Sequence, residues 1–271
     1  MDNKEKKTQE VFSFAWNHFG KKEISNNWEK DSYHYYQWFE NLIGISDKTV
    51  LDAGCGSGAD IKKWIDSSKF IIGADISDAV ITAKNNLKDN NKAGFVKSNL
   101  CWLPFKKSSF DLVCSFGVIH HINDTNRALQ ELFNVLKPNG YLVIYLYENI
   151  KEKSIIKHLC LLIINQIRKV IKLFPARIIY WYCIIISIPV YIFLTLPANI
   201  LKFMGLKNLS QSIPYYHTMN IQTIVSDLFD RFSPPIEKRY TKQQAVDLLL
   251  QTNFQIVSIH NYRGWIIIGK K

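Results

Sequence analysis

The sequence predicts an α/β fold: a mostly parallel sheet, completed by an antiparallel C-terminal hairpin and interrupted by a helical insertion. Three observations predict it. Short apolar stretches alternate with amphipathic ones through the first 150 residues, the order that builds parallel strands through right-handed crossovers. The first such stretch runs into a glycine turn and a helix start, VLDAGCGSGADIKKWI. The final residues, 241–271, change style to one helix and two strands.

Taken in order, the polar start MDNKEKKTQE leads into a helix with Phe12, Trp16 and Phe19 at helical spacing, so residues 1–44 read as a helical cap packed on the sheet, with lining the mouth of a site as a secondary role for the aromatic row. Strands are expected at Thr49–Ala53, Phe70–Asp75, Gly94–Lys97, Phe110–Ser115 and Gly140–Tyr147, separated by amphipathic segments such as ALQELFNVLK. Thr241 caps the helix TKQQAVDLLLQTNF, and FQIVSIHNY and GWIIIGKK form a hairpin through an Arg-Gly turn, which makes seven strands. The sheet domain is therefore 45–150 with 207–271, and 151–206 is an apolar helical insertion.

Composition narrows the function classes. With 47% hydrophobic and 13% aromatic residues, the chain has the material for a packed core. No apolar stretch follows the polar start, so a cytoplasmic protein is expected. The five cysteines (Cys55, Cys101, Cys114, Cys160, Cys183) are scattered, with no CxxC or His/Cys metal spacing; reduced thiols and no metal are expected. A formal charge of +11 points to an anionic partner without choosing among nucleic acid, membrane surface and acidic substrate.

The glycine turn is the first chemical signal. Gly54, Gly56 and Gly58 let a ligand approach the backbone and permit positive φ, while the next helix aims its free N–H groups at whatever binds. Asp75 lies about twenty residues on, where an acid binds ribose hydroxyls. These residues alone fit either NAD or S-adenosylmethionine. Further residues break the tie. Asp52 makes the spacing D-x-G-x-G-x-G, GADIS ends its strand at Asp75, and NLCWLPF, FDLVCSFGVIHHI and ELFNVLKPNGYLVI follow in order. Together these resemble the motifs of the class I S-adenosylmethionine-dependent methyltransferases, a Rossmann-like family, over Thr49–Tyr147. The resemblance implies S-adenosylmethionine as cofactor, held by Asp52, Gly54, Cys55, Gly56, Gly58 and Phe116 at the loop and fourth strand, by Asp75 at the ribose, and by Ile76, Asn99 and Leu100 around adenine. Asn99 stands where the family has Asp, and its side-chain oxygen still accepts a hydrogen bond. Asn139 replaces the second glycine of K-P-G-G and tolerates the turn.

A sulfonium methyl is already activated, so the protein's task is to align a nucleophile, and to remove a proton from an acceptor such as a hydroxyl. Candidate bases are His121, His120 and Asp230, in that order; the plainer reading of the two histidines is packing beside the cofactor. TQEVFSFAWNHF and DLFDRFSPPIEKRYT resemble segments of a small-molecule subfamily, and Asp227, Asp230, Arg231 and Tyr240 concentrate polar groups there; Tyr216 and His217 are weaker candidates. A small or amphipathic, lipid-linked acceptor is expected, methylated on oxygen or another heteroatom. An NAD(P)-dependent reductase is the rival enzyme, since Tyr147-x-x-x-Lys151 forms a Y-x-x-x-K pair, though outside a helix. A nucleic-acid methyltransferase is the second rival, but no [DN]-P-P-[YF] follows the fourth strand and no RNA-binding module is recognisable, so no nucleic acid is expected. A non-catalytic binding protein is the third.

The insertion carries a second signal. Ile178–Leu201 has no charged residue and is flanked by Arg177 and Lys202, a length that suits a membrane span. Two strands follow it and must join the same sheet, so a single crossing is disfavoured. IIKHLCLLIINQIRKVIKLF, which precedes it, reads as a basic amphipathic helix, and Pro189 and Pro197 predict a bent helix or two short ones. The expectation is a helical lobe across 155–205 that rests at the inner face of a membrane or covers the active site as a lid. Packing as a homodimer is the alternative.

Overall fold

The computed structural model describes residues 3–23, 40, 42–88, 90–149, 164–213, 220–262 and 264–271. The chain forms two compact units, Met1–Lys157 with Pro235–Lys271, and His158–Pro234.

The first unit is built on seven strands: β1 (Thr49–Ala53), β2 (Phe70–Asp75), β3 (Ala93–Lys97), β4 (Phe110–Phe116), β5 (Leu136–Leu146), β6 (Gln255–Asn261) and β7 (Trp265–Lys270). Their order is β3-β2-β1-β4-β5-β7-β6. Strands β1 to β5 pair in parallel, and β7 is antiparallel to both β5 and β6. This is the Rossmann-like sheet that the sequence predicts. The helices of this unit are α1 (Asn3–Glu23), α2 (Ala59–Trp64), α3 (Ala79–Asn86), α4 (Thr125–Val135) and α9 (Lys242–Leu250). Alternate residues of β1 feed two cores on opposite faces of the sheet. Leu51 and Ala53 join Leu129 and Leu132 of α4 and Leu249 of α9, while Val50 joins Ile61 and Trp64 of α2. Thr241 caps α9 in a capping box with Gln244, as its sequence predicts.

Strand β5 starts earlier than expected. Leu136 still pairs with Phe110, and the register then shifts before Leu112 meets Tyr141. The extra residues form a bulge in which Asn139 takes φ +64, and both Asn139 and Gly140 bond to Lys271 of the main chain.

The second unit contains α5 (Ala176–Val190), a π-helical segment (Tyr191–Thr195), α6 (Leu196–Phe203), α7 (Lys207–Ser212) and α8 (Ile221–Phe232). Residues 164–171 are also helical, and 155–163 of the expected amphipathic helix lie outside the described residues. Ala176–Phe203 is one continuous helical run of 28 residues and not two short helices. The wide turn directly after Pro189 absorbs the ring and the missing N–H, and Pro197 falls in the first turn of α6, where no donor is needed. The unit extends through Pro234, further than the insertion read from the sequence. The reason is that α8 packs its apolar face (Ile224, Val225, Leu228, Phe229, Phe232) within this unit, with the rings of Tyr182 and Phe232 edge to face at 5.7 Å.

Candidate functional site

Strand order reverses at β1, which has β2 on one side and β4 on the other. Such a reversal opens a crevice beyond the carboxyl ends of the strands. The glycine loop crosses that crevice. Gly54 N–H donates to Ala74 O at 2.6 Å, and Gly58 N–H to Cys55 O at 2.9 Å. At Gly56, φ is +49, and an added Cβ would lie 2.7 Å from the Trp16 indole.

The carboxylate of Asp75 shapes the loop from below. Its Oδ2 accepts from Gly56 N–H at 3.0 Å, and its Oδ1 from Ser77 N–H at 2.8 Å and from the Ser77 hydroxyl at 2.6 Å. A carboxylate offers about four acceptor positions, so most of its capacity is already used inside the protein. Burial nevertheless raises its pKa, against the lowering effect of these bonds. Asp52 is the opposite case. It is buried, its Oδ2 has no hydrogen-bond partner among the described residues, and burial, then Asp60 and Asp75, push its pKa well up. Asp60 and Asp75 thus bear on Asp52 next to one glycine loop, and a cationic ligand there would favour the ionised form of Asp52.

The remaining loop candidates divide by what faces the crevice. Cys55 turns its thiol into the core against β2, where a Cβ on Gly73 would meet Sγ at 2.7 Å, so it offers the site only its backbone. Phe116 likewise packs its ring toward Trp64, 6.1 Å between centroids. Asn99 Oδ1 accepts from Cys101 N–H at 2.9 Å and keeps a second lone pair. Leu100 is buried and Ile76 half-buried, both just past strand ends on this side of the sheet.

The histidines lie in a 3₁₀ turn after β4 (Ile119–His121). His121 Nδ1 lies 2.7 Å from Ile236 O. A carbonyl only accepts, so Nδ1 carries the proton and the ring lone pair is on Nε2. Phe12 of α1 packs on the same ring at 5.3 Å. His120 is fully buried and stacks on Tyr147 at 3.8 Å; neither ring nitrogen has a partner among the described residues. Burial, then His121 and Arg239, hold it well below the ordinary histidine pKa and therefore neutral. This enclosure suits His120 to packing and leaves His121 as the better placed of the two.

Asp230 is exposed on α8 of the second unit, where Asp227 and Arg231 also pair with each other at 2.6 Å. Tyr216, His217, Cys160 and Lys151 lie outside the described residues. Among the described residues no cluster of His, Cys, Asp or Glu could hold a metal ion.

Two contributors were legible only in part. One is the strap Ile236–Tyr240: beside the Ile236 carbonyl, Lys238 N–H donates to His120 O at 2.9 Å and Lys238 Nζ to Asn123 O at 2.7 Å. The other is α1. Its aromatic spacing predicts packing and, secondarily, a place at the mouth of the site; the contact partners come from the fold, which has Trp16 against Gly56 and Asp78 N–H donating to Ser13 Oγ at 3.0 Å.

Comparison with known proteins bears on the family and the fold. Residues 51–144 match the family model described as "Methyltransferase domain". A demethylmenaquinone methyltransferase of Lactococcus lactis is 28% identical over 51% of this chain and 58% of its own length. A tRNA (carboxymethyluridine(34)-5-O)-methyltransferase of Arabidopsis thaliana is 33% identical over 40% of this chain and 26% of its own. The chain thus spans between 26% and 58% of the length of these relatives. Among solved structures, 1,6-didemethyltoxoflavin-N1-methyltransferase of Burkholderia thailandensis shares the fold at TM-score 0.59 and 11% identity, covering 100% of this chain and 91% of that one.

Proposed function

Because the sheet domain belongs to the class I S-adenosylmethionine-dependent methyltransferases, we propose that this protein transfers the methyl group of S-adenosylmethionine to a small or amphipathic, lipid-linked acceptor. The observation that carries the reading is the orphaned, buried Oδ2 of Asp52, two residues before a loop in which Gly54, Gly56 and Gly58 all take positive φ. The cofactor would supply a cationic, activated methyl donor whose charge favours the ionised form of Asp52. Asp52 and the backbone of Gly54, Cys55, Gly56, Gly58 and Phe116 would hold its methionine end. Asp75 would meet the ribose with its remaining acceptor capacity, and Ile76, Asn99 and Leu100 would flank adenine. His121, through Nε2, would take the proton of a hydroxyl acceptor. The Lactococcus relative, named for a quinone, supports a small acceptor.

Calorimetry tests the core of the reading: S-adenosylhomocysteine should bind saturably and NADH should not. Binding of NADH alone would overturn it. Profiling of metabolites and lipids with a labelled methyl donor then identifies the acceptor. A second reading, methylation of tRNA, draws on the charge of +11 and the Arabidopsis relative. Labelling of tRNA and not of small molecules would replace the first reading.

A further inference from the structure

We propose that the second unit docks on an anionic lipid bilayer, lying along its surface through the solvent-facing stripe of α5 and α6. Between Arg177 and Lys202 the helix carries no charge, and its most apolar 18-residue window has a mean hydropathy of 2.1 with only 17% buried. The buried side is ordinary: Ile179, Cys183, Ser187, Thr195 and Ala198 face the unit's own interior. The opposite side is not. Ile178, Trp181, Ile185, Ile188, Ile192 and Phe203 face water, from 47% exposed at Ile192 to 94% at Phe203. Helices on the surface of soluble proteins put polar residues there, and a contiguous exposed apolar stripe marks an interaction surface.

Charge selects the occupant. Residues 158–234 contain seven Arg and Lys against two Asp, a net +5, and basic residues bracket the stripe: Lys172 and Arg177 before it, Lys202 and Lys207 after it. A second copy laid on the stripe, parallel or antiparallel, would bring cationic ends together at both termini. Anionic headgroups meet the same ends with opposite charge, while Trp181 and the isoleucines enter the acyl boundary.

Orientation follows from the fold. The two ends of the insertion are tied side by side in the first unit, Asn149 N–H donating to Tyr240 O and Tyr240 N–H to Tyr147 O, both at 2.9 Å. The chain therefore returns to the side it left, which a single crossing forbids. Crossing would also draw α8 into hydrocarbon, with Asp227 and Arg231 on its surface.

The inference stands apart from methyl transfer, because vesicle binding is read without cofactor. The full chain is floated with phosphatidylcholine vesicles, with and without phosphatidylglycerol. Wild-type protein should float with the anionic vesicles and be released by salt and by carbonate. Exposed Trp181→Glu with Ile185→Glu should abolish flotation at unchanged far-UV circular dichroism. Arg177→Glu with Lys202→Glu should weaken partition by roughly 30-fold or more, the effect of losing two cationic contacts with an anionic surface. Wild-type protein left in the soluble fraction at low salt overturns the proposal, whether as monomer or dimer. So does resistance to carbonate, which would mean a crossing.

Discussion

Substituting Gly56 by alanine tests whether α1 sits on the glycine loop, and its magnitude can be worked from two terms. With φ at +49, an L side chain adopts a left-handed conformation, at roughly 1–2 kcal/mol. The new Cβ would also lie 2.7 Å from both Cε2 and Cζ2 of Trp16, so the rigid indole, and α1 with it, must move. Overpacking of this kind costs about 1–3 kcal/mol. Gly56→Ala should therefore destabilise the protein by about 2–5 kcal/mol in the wild-type background, but only by the backbone term of about 1–2 kcal/mol in a Trp16→Ala background. The difference is the coupling of a double-mutant cycle, measured by urea unfolding followed by far-UV circular dichroism. Equal losses in the two backgrounds, within about 0.5 kcal/mol, would mean that Trp16 does not occupy the loop.

Asp75→Ala should weaken S-adenosylhomocysteine binding by about 1.5–3 kcal/mol, the scale of a hydrogen bond to a charged group, and unchanged calorimetric affinity in a folded variant would remove Asp75 from the site. Asp52 sets a pH dependence. As an acid with a raised pKa, it lowers the stability of the ligand-free protein as pH rises from its ordinary 3.8 through the folded value, whereas a cationic ligand favours the ionised form. S-adenosylmethionine should thus bind with proton release and more tightly as pH rises through that window. Calorimetry in buffers of different ionisation enthalpy reads the proton, and Asp52→Asn should abolish its release; release undiminished in that variant would assign the proton elsewhere. For a hydroxyl acceptor, His121→Ala should lower kcat roughly 10²–10⁴-fold with cofactor affinity nearly intact, whereas a full-rate variant would return His121 to packing.

Much of the sheet was readable because its signals are local. Apolar runs bounded by turns located β1 and β2 at their observed limits, and Thr241 announced α9 through its own side chain. The start of β5 was not readable, since the pairing of Leu136 across a bulge depends on Phe110, twenty-six residues away. The site divides in the same way. Gly56 and Asp75 declare themselves by spacing, and their bond at 3.0 Å follows from a shared strand end. No spacing reveals that the Ile236 carbonyl fixes the tautomer of His121, because a main-chain acceptor is the same atom in every residue. Nor does composition tell which face of an isoleucine-rich helix is covered; at α5, Ile179 is buried and Ile178 exposed, and only packing separates the neighbours.

The place of β7 in the sheet bears on how the protein is made. The last strand of the chain inserts between β5 and β6, so the outer edge of β5 has no partner until Trp265–Lys270 has emerged. More than a hundred residues, including the apolar unit, separate the two strands. At synthesis rates of about 5–20 residues per second, the unpaired edge with its flanking Val143 and Ile144 waits on the order of ten seconds. During that interval the nascent chain presents an open strand edge and an isoleucine-rich helix together, a combination prone to aggregation. Yield in the cell should therefore depend on chaperone supply and translation speed more steeply than the stability of the finished sheet would suggest.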